Sequence, residues 1–458
     1  MSSNPQARQL FEDGNSRLQA GDTRGAQSHF ELALVMDPYF SEATCNLALL
    51  LEQAGATADA EALYVRAIRL QPAELQTWLN YGVLLLNARR MDEAEAVQRH
   101  ALTLAPLAPQ AWSALGVLLA CRQRYDEAEQ CYRKALELNP KFARARFNLG
   151  YILLRQGKME EGWACYEARE HADRPASHFT CPRWRGENLR GLAIVISYEG
   201  GHGDMIQFFR YAIVLKAMGA RHISVVCPPV LAPLLTTLAA VDEVLPYDKE
   251  VAVSGWDFWV LPMSLPLRCG TRLDHVPAPI PYLSADPARR ARWAPLLPAA
   301  GLRVGLVWRG NPLFENDGAR SLDSLAALVP LAAVAGISFV SLQKGRGEDE
   351  AHTPPAGMDI APLGADFADF ADTAAVIDGL DLVISIDSAV AHLAGAMGKP
   401  CWVLLPDYRT DWRWMTERSD TPWYPTMRLF RQPPGGGWDS VIADVAQALA
   451  ALVAPPGL

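Results

Sequence analysis

The sequence predicts an N-terminal α-helical superhelix followed by an α/β module made of two lobes, each built on a parallel sheet. A 34-residue period places four prolines at equal spacing in the first third of the chain, at Pro38, Pro72, Pro106 and Pro140. Beyond residue 190, short apolar segments rich in β-branched residues alternate with helical segments, which is the pattern of parallel sheets. Residues 171–190 lose the helical period and gain proline and glycine, which is typical of a linker. The predicted divisions are therefore 1–170 for the superhelix, 171–190 for the linker, 191–298 for the first lobe and 299–458 for the second.

Small residues keep the same 34-residue period. They occupy three further registers: Gly14, Ala48, Gly82, Gly116 and Gly150; Ala26, Ala60, Ala94 and Ala128; and Ala33, Ala67, Ala101 and Ala135. Small side chains suit the close crossing of two antiparallel helices, and proline cannot continue the second helix. This unit is the tetratricopeptide repeat (TPR), so we expect a stacked superhelix with a concave groove. A fifth, degenerate unit carries Arg169 in place of the small residue and is predicted to cap the array.

Composition excludes several classes of protein. The net charge of -9 argues against general nucleic-acid binding, which needs clustered Lys and Arg. The eight cysteines form no CxxC pair, so neither a zinc site nor a disulfide framework is expected. The N-terminus lacks the layout of a signal peptide, and no apolar run reaches the length of a membrane span. We therefore expect a cytoplasmic protein with reduced thiols.

The first lobe begins with a strand predicted over 192–197, followed by a glycine-rich turn and a helix; later strands are predicted over 223–227 and 257–261. Gly200, Gly201 and Gly203 bracket this first turn. Glycine there lets a ligand approach the backbone, and the helix that follows offers an N-terminus that favours anions. The spacing is neither that of a dinucleotide fingerprint nor that of a Walker motif. Asp204, at the mouth of the turn, either caps the helix or acts as a base.

The second lobe repeats this alternation. Strands are predicted over 301–308, 337–345, 381–386 and 399–406, and helices over 366–380 and 389–398. The short loops after such strands are where ligands bind in Rossmann-like sheets.

The run from Asp387 to Pro400 carries a specific resemblance. Asp387, then His392 five residues later, a small-residue helix and Gly398-Lys399-Pro400 resemble the signature of the heptosyltransferase-type enzymes, glycosyltransferase family nine, whose fold is the two-lobed GT-B type. The chain as a whole resembles bacterial proteins that join tetratricopeptide repeats to such a module.

Two features depart from that family. The first lobe is shorter than the family's usual one, which argues against a lipopolysaccharide-type acceptor. A lysine that the family carries after the opening strand of the second lobe has no match, and Arg309 or Arg320 is predicted to replace it.

The resemblance implies a nucleotide-sugar donor and a catalytic base. Gly203-Asp204 matches the family's Gly-Asp, which makes Asp204 the base. With no acidic metal cluster visible, no metal or other cofactor is expected, and a helix N-terminus and cations would meet the diphosphate. The predicted donor-binding residues are Gly201, Gly203, Arg309, Asn311, Arg320, Gln343, Asp387, Ser388 and His392.

Other roles stay open for several of these residues. Gln343 is expected to contact the base or ribose. Asp387 is either a ligand or a helix cap, and His392 is either a ligand or a core histidine. The aromatic residues Trp412, Trp414, Trp423 and Tyr424 either stack on a sugar or pack the segment that returns between the lobes.

The superhelix is predicted to select the acceptor. Asn46, Asn80 and Asn148 each lie two positions before the small residue of the first register, whereas Glu12 and Ala114 interrupt the series. These asparagines resemble the ladder with which the superhelix of O-GlcNAc transferase holds an extended polypeptide. The first hypothesis is an inverting, metal-independent glycosyltransferase acting on a protein. The alternatives are transfer to a glycan or lipid-linked acceptor, and a non-catalytic repeat scaffold with a degenerate nucleotide-sugar-binding module.

Overall fold

The computed structural model describes residues 4–169, 178–277 and 279–454. By their internal contacts the residues form two compact units, Met1–Leu149 and Gly150–Leu458. A helical array makes up the first unit, and two parallel sheets form the framework of the second.

The helices of the N-terminal third follow one another as antiparallel pairs, with the ninth crossing the boundary between the units and the tenth lying in the second. Their bounds are α1 Pro5–Gln19, α2 Thr23–Met36, α3 Ser41–Gln53, α4 Thr57–Leu70, α5 Leu75–Asn87, α6 Met91–Leu104, α7 Pro109–Cys121, α8 Tyr125–Leu138, α9 Ala143–Arg155 and α10 Met159–Tyr166. The predicted superhelix of paired helices is confirmed.

The periodic small residues lie where the paired helices cross. Every alanine of the two alanine registers between Ala26 and Ala135 is fully buried. A Cβ atom added to Gly116 would lie 2.7 Å from Cε1 of Tyr132, which is too close for two carbon atoms. Small residues therefore recur every 34 residues because the paired helices of each repeat approach too closely for larger side chains.

The last helical hairpin, formed by α9 and α10, was expected to cap the repeat array, but most of it belongs to the α/β module. From Gly150 onward its residues belong to the second unit. The Trp163 ring packs edge-on against Trp412 at 5.2 Å between centroids, and its Nε1 donates to the carbonyl oxygen of Thr271 at 3.2 Å. Trp163 is 2% exposed, so this hairpin forms part of the core of the α/β module.

The first sheet has four parallel strands. They are β1 Ala193–Ile196, β2 His222–Cys227, β3 Glu243–Pro246 and β4 Phe258–Val260, in the order β3-β2-β1-β4. The helices of this part are α11 His202–Phe208, α12 Tyr211–Ala217, α13 Ala232–Leu235 and α14 Leu265–Arg268. Because β1 lies between β2 and β4, the turn after β1 opens at a switch point of the sheet, where ligands bind in such folds.

The second sheet has six parallel strands. They are β5 Leu302–Val307, β6 Ile337–Ser341, β7 Ile360–Ala361, β8 Leu382–Ile386, β9 Cys401–Leu405 and β10 Met427–Arg431, in the order β10-β9-β8-β5-β6-β7. The accompanying helices are α15 Pro287–Trp293, α16 Asp317–Arg320, α17 Phe370–Asp378, α18 Ala389–Ala396 and α19 Asp439–Val453. The switch point lies between β5 and β8.

The strands expected from the sequence are present, each within a few residues of its predicted bounds. Strands β3, β7 and β10 and helices α13, α14, α15, α16 and α19 were not predicted. Of the segment expected to be a linker, residues 171–177 lie outside the described residues. Residues 178–190 lie against the first sheet: Arg183 forms a parallel bridge with Trp259, and the Trp184 side chain is fully buried.

Candidate active-site cleft

The loops at the carboxyl ends of both sheets border one cavity of about 640 Å³. The turn after β1 forms one wall, and the loops after β5, β6, β8 and β9 form the others. Asp204 and all nine of the predicted donor-binding residues line this cavity. Residues from distant parts of the sequence meet here because parallel strands present their carboxyl ends at one edge.

Asp204 lies on the first-lobe wall and is held at both carboxylate oxygens. Its Oδ2 accepts a hydrogen bond from the backbone N–H of Gly201 at 2.8 Å, so it caps helix α11 from the third helical position. Its Oδ1 accepts from Nη2 of Arg413, with which it forms an ion pair. The Asp204 side chain is 23% exposed. The capping role and access to the cavity therefore coexist at this residue.

The N-terminus of helix α18 forms part of the opposite wall of the cavity. Ser388 is the N-cap and its Oγ accepts from the backbone N–H of Ala391 at 3.5 Å. Arg320 adds a positive charge beside this helix end, where its Nη1 donates to the backbone oxygen of Asp387 at 3.1 Å. A helix N-terminus and a guanidinium together favour a bound anion.

Asp387 is a partly buried carboxylate at the end of β8. Burial and the negative charge of Asp411 raise the pKa of Asp387 to about 6, and Trp414, Arg320 and Arg413 oppose that rise. At pH 7 this carboxyl group is therefore mostly ionised, although it retains its proton to a higher pH than an ordinary aspartate.

His392 is nearly buried at the point where the two lobes touch. Its Nδ1 lies 3.0 Å from the hydroxyl oxygen of Tyr424, and its ring stacks on Trp414 with centroids 5.4 Å apart. A Cβ atom added to Gly203 would lie 2.7 Å from Cδ2 of His392. Burial, reinforced by nearby Arg413 and Arg210, lowers the pKa of His392 well below its ordinary value, so the imidazole is neutral.

Gln343 lies in the cavity wall, but its amide is engaged by the protein backbone. Its Oε1 accepts from the backbone N–H groups of Trp308 and Arg309, both at 3.0 Å. Its Nε2 donates to the carbonyl oxygens of Arg309 and Arg346 at 3.0 and 2.9 Å. Gln343 therefore holds together the loops after β5 and β6, which differs from the expected contact of its amide with the base or ribose.

The two remaining predicted residues of the loop after β5 also make contacts within the protein. Arg309 pairs with Glu350 through Nη1 at 3.1 Å, and its Nε is buried without a hydrogen-bond partner among the described residues. Asn311 accepts from the backbone N–H of Leu313 through Oδ1 at 3.0 Å, and this bond shapes the loop.

Sequence reasoning missed Arg413 and Asp411, which lie in the segment between β9 and β10. The Arg413 side chain is 7% exposed and lies between Asp204 and Asp411, whose Oδ2 is 3.0 Å from Nη1. Burial would lower the pKa of Arg413, but the charges of Asp411 and Asp204 raise it. The run Asp411-Trp412-Arg413-Trp414, in which an arginine lies between two tryptophans and close to an aspartate, was the signal available in the sequence.

The aromatic residues of this segment pack in the interior. Trp412, Trp414, Trp423 and Tyr424 are each at most 1% exposed. Their burial favours the packing interpretation over stacking on a sugar.

The three asparagines predicted to bind the acceptor are all partly buried. Asn46 donates through Nδ2 to Oδ1 of Asn15 at 2.8 Å, and Oδ1 of Asn80 accepts from Nε2 of Gln76 at 2.7 Å. The amides of Asn46 and Asn80 are thus linked to neighbouring amides of the array, and Asn148 lies on α9.

Within 4–169, 178–277 and 279–454, no group of three or more His, Cys, Asp or Glu side chains is arranged to hold a metal ion. In the same part of the chain, no helix combines the length and the hydropathy required to cross a bilayer.

The fold and the cavity define a repeat protein joined to a two-lobed α/β module with a ligand cleft, and family comparisons agree with both parts. Tetratricopeptide-repeat models match residues 11–74, 45–111, 95–136 and 118–157. The glycosyltransferase family 9 (heptosyltransferase) model matches residues 339–404. The chain therefore carries tetratricopeptide repeats and a segment of the heptosyltransferase type, which spans Gln343, Asp387, Ser388 and His392.

A curated relative extends this similarity. The protein FlbA of Caulobacter vibrioides is 31% identical in an alignment 300 residues long, which covers 61% of this chain and 50% of the relative. The chain thus spans about half the length of the curated relative that it matches.

Solved structures that resemble the chain cover about a third of it. MamA from Desulfovibrio magneticus RS-1 is 16% identical with a TM-score of 0.32, and covers 36% of this chain and 93% of its own. PilF of Pseudomonas aeruginosa is 22% identical with a TM-score of 0.33, and covers 35% and 74%. A thermophilic TPR protein of Thermus thermophilus is 21% identical with a TM-score of 0.34, and covers 37% and 94%.

Proposed function

We propose that this chain is an inverting, metal-independent glycosyltransferase that moves a sugar from a nucleotide sugar to a protein held by the repeat superhelix. The observation that carries the proposal is the shared cavity, with the carboxylate of Asp204 on one wall and the N-terminus of α18 on another. The match of the heptosyltransferase model to residues 339–404 supports the reaction class.

In this reaction, a hydroxyl oxygen of the acceptor attacks the anomeric carbon and its proton passes to Asp204, while the bond from that carbon to the diphosphate breaks. The nucleoside diphosphate leaves with the electron pair of that bond. The N–H groups at the start of α18 and the guanidinium of Arg320 stabilise the charge of the leaving group without a metal ion. Each oxygen of Asp204 uses one lone pair within the protein and keeps a second one for the acceptor hydroxyl.

The acceptor class is a protein because tetratricopeptide repeats most directly offer a surface for another polypeptide. Asn46, Asn80 and Asn148 are the proposed contacts for its backbone. To bind the acceptor backbone, Asn46 and Asn80 would have to release their present side-chain partners, Asn15 and Gln76.

The first test is a thermal-shift screen of nucleotide sugars against the full chain, followed by a transfer assay with the donor that binds. A donor present at a hundred times its dissociation constant adds about 2.7 kcal/mol of stability. Asp204→Asn should abolish transfer and retain the thermal shift.

The matched control is Asp257→Asn, because Asp257 also accepts a backbone N–H, that of Ala193 at 2.8 Å, and does not line the cavity. This control should keep both transfer and binding. A bound donor with no transfer by the wild-type chain, and no effect of Asp204→Asn on any measured property except stability, would favour the non-catalytic scaffold.

A further inference from the structure

The side chain of Arg413, which lines the cavity, contacts three polar side chains. Its Nη2 contacts Asp204, its Nη1 lies 3.0 Å from Asp411, and its Nε donates to the side-chain oxygen of Gln207. Gln207 and Asp204 both lie on helix α11, so one guanidinium holds this helix at two points.

Arg413 is itself fixed from the other side. Asp411 accepts the backbone N–H of Arg413 through Oδ1 at 2.9 Å and the guanidinium through Oδ2. The hydroxyl group of Tyr151, on helix α9, donates to the same Oδ2 of Asp411 at 3.2 Å. A chain of side-chain contacts therefore runs from the last helical hairpin through Asp411 and Arg413 to Asp204.

Packing leaves the guanidinium little freedom to move. Its carbon lies 4.8 Å from the centre of the Trp412 ring and 5.3 Å from that of Phe208. Cations at these distances from aromatic faces are attracted to them, more strongly when water is excluded. The side chain is 7% exposed, and each of its three guanidinium nitrogen atoms has a polar partner. Such a side chain is suited to holding another residue in place.

We propose that Arg413 is the positioning residue of the cleft, which holds the carboxylate of Asp204 through one oxygen while Asp411 and Tyr151 hold Arg413. The catalytic importance of this arrangement rests on the proposed function. Displacing a reacting group by about 1 Å can cost about 100-fold in rate, so a held carboxylate is worth more than a mobile one.

The coupling between Asp204 and Arg413 is measured by a double-mutant cycle in urea unfolding of the full chain. Arg413→Gln and Asp204→Asn are made separately and together. The shift of the unfolding midpoint in the double variant should be clearly smaller than the sum of the two single shifts, since either substitution already breaks the pair. The control cycle is Arg418→Gln with Asp420→Asn, a more exposed pair of the same segment, whose shifts should add.

Additive shifts at Arg413 and Asp204 would overturn the proposal. Coupled shifts in a chain that transfers no sugar would retain the positioning contact and reject the proposed function. The two failures are therefore distinguishable.

Kinetics then separate positioning from donor binding. Arg413→Gln should lower kcat about 10- to 100-fold and change the donor KM less than about threefold, and added guanidinium ion should restore part of kcat. Tyr151→Phe should lower kcat by a smaller factor in the same direction. A donor KM that rises at least tenfold with an unchanged kcat would show that Arg413 binds the diphosphate, contrary to the proposal.

Discussion

Replacing Gly203 with alanine should weaken the contact between the two lobes of the second unit. The new methyl group would lie 2.7 Å from Cδ2 of His392 and 3.5 Å from Cα of Ala389. The imidazole has little room to retreat, because it is 5% exposed, stacked on Trp414 and hydrogen-bonded to Tyr424. Either the lobes separate by several tenths of an ångström or the histidine leaves its position.

The size of the effect follows from overpacking, which costs about 1–3 kcal/mol in a close-packed interior. Alanine also gains up to about 1 kcal/mol over glycine inside a helix. Gly318→Ala isolates that gain, since Gly318 is also the second residue of a short helix and a Cβ atom there meets nothing within 4 Å. Gly203→Ala should therefore be less stable than Gly318→Ala by about 1–3 kcal/mol.

Urea unfolding, followed by fluorescence of the buried tryptophans, compares the two variants. The nucleotide-sugar thermal shift should shrink in Gly203→Ala and be unchanged in Gly318→Ala, because only the former lines the cavity. Equal stability and equal ligand response in the two variants would show that the lobes do not meet at Gly203.

Three further predictions concern other sites. The pKa of Asp387 is raised from 3.8 to about 6 in the folded state, so the stability that its protonated form contributes is present below pH 3.8 and is lost as pH rises through 6. Between pH 4 and 7 the free energy of unfolding of Asp387→Asn should therefore rise by up to about 3 kcal/mol relative to that of the wild type. A difference in urea midpoints that does not change with pH would contradict this. Trp163→Ala should destabilise the second unit by about 3–5 kcal/mol in urea unfolding, and a loss confined to the repeat unit would show that the hairpin packs elsewhere. Gly116→Ala should cost a net amount of about 1 kcal/mol in circular-dichroism melts, because the contact with Tyr132 outweighs the gain in helix propensity, and a more stable variant would refute the close crossing.

The repeat array shows which structural features the periodicity of the sequence can predict. Gly116 and the buried alanines reveal a helix crossing because only small side chains fit there, and this constraint is local to one repeat. Strands β1, β5 and β8 were likewise predictable, since a strand buried on both faces must be a short, almost wholly apolar run. The loops after these strands could then be expected at the carboxyl edge of their respective sheets, where ligands bind.

The sequence by itself determined the two kinds of architecture, the order of most elements and ten of the residues that line the cavity, Asp204 and the nine predicted donor-binding residues. The tertiary structure decided what each of those residues contacts. Gln343 binds backbone because two loops converge on it, and Arg413 reaches Asp204 across 209 positions of sequence. The last hairpin belongs to the α/β module because Trp163 is buried against Trp412. Local sequence patterns reflect burial and backbone geometry, whereas contacts between residues distant in the chain depend on packing and charge in the complete fold.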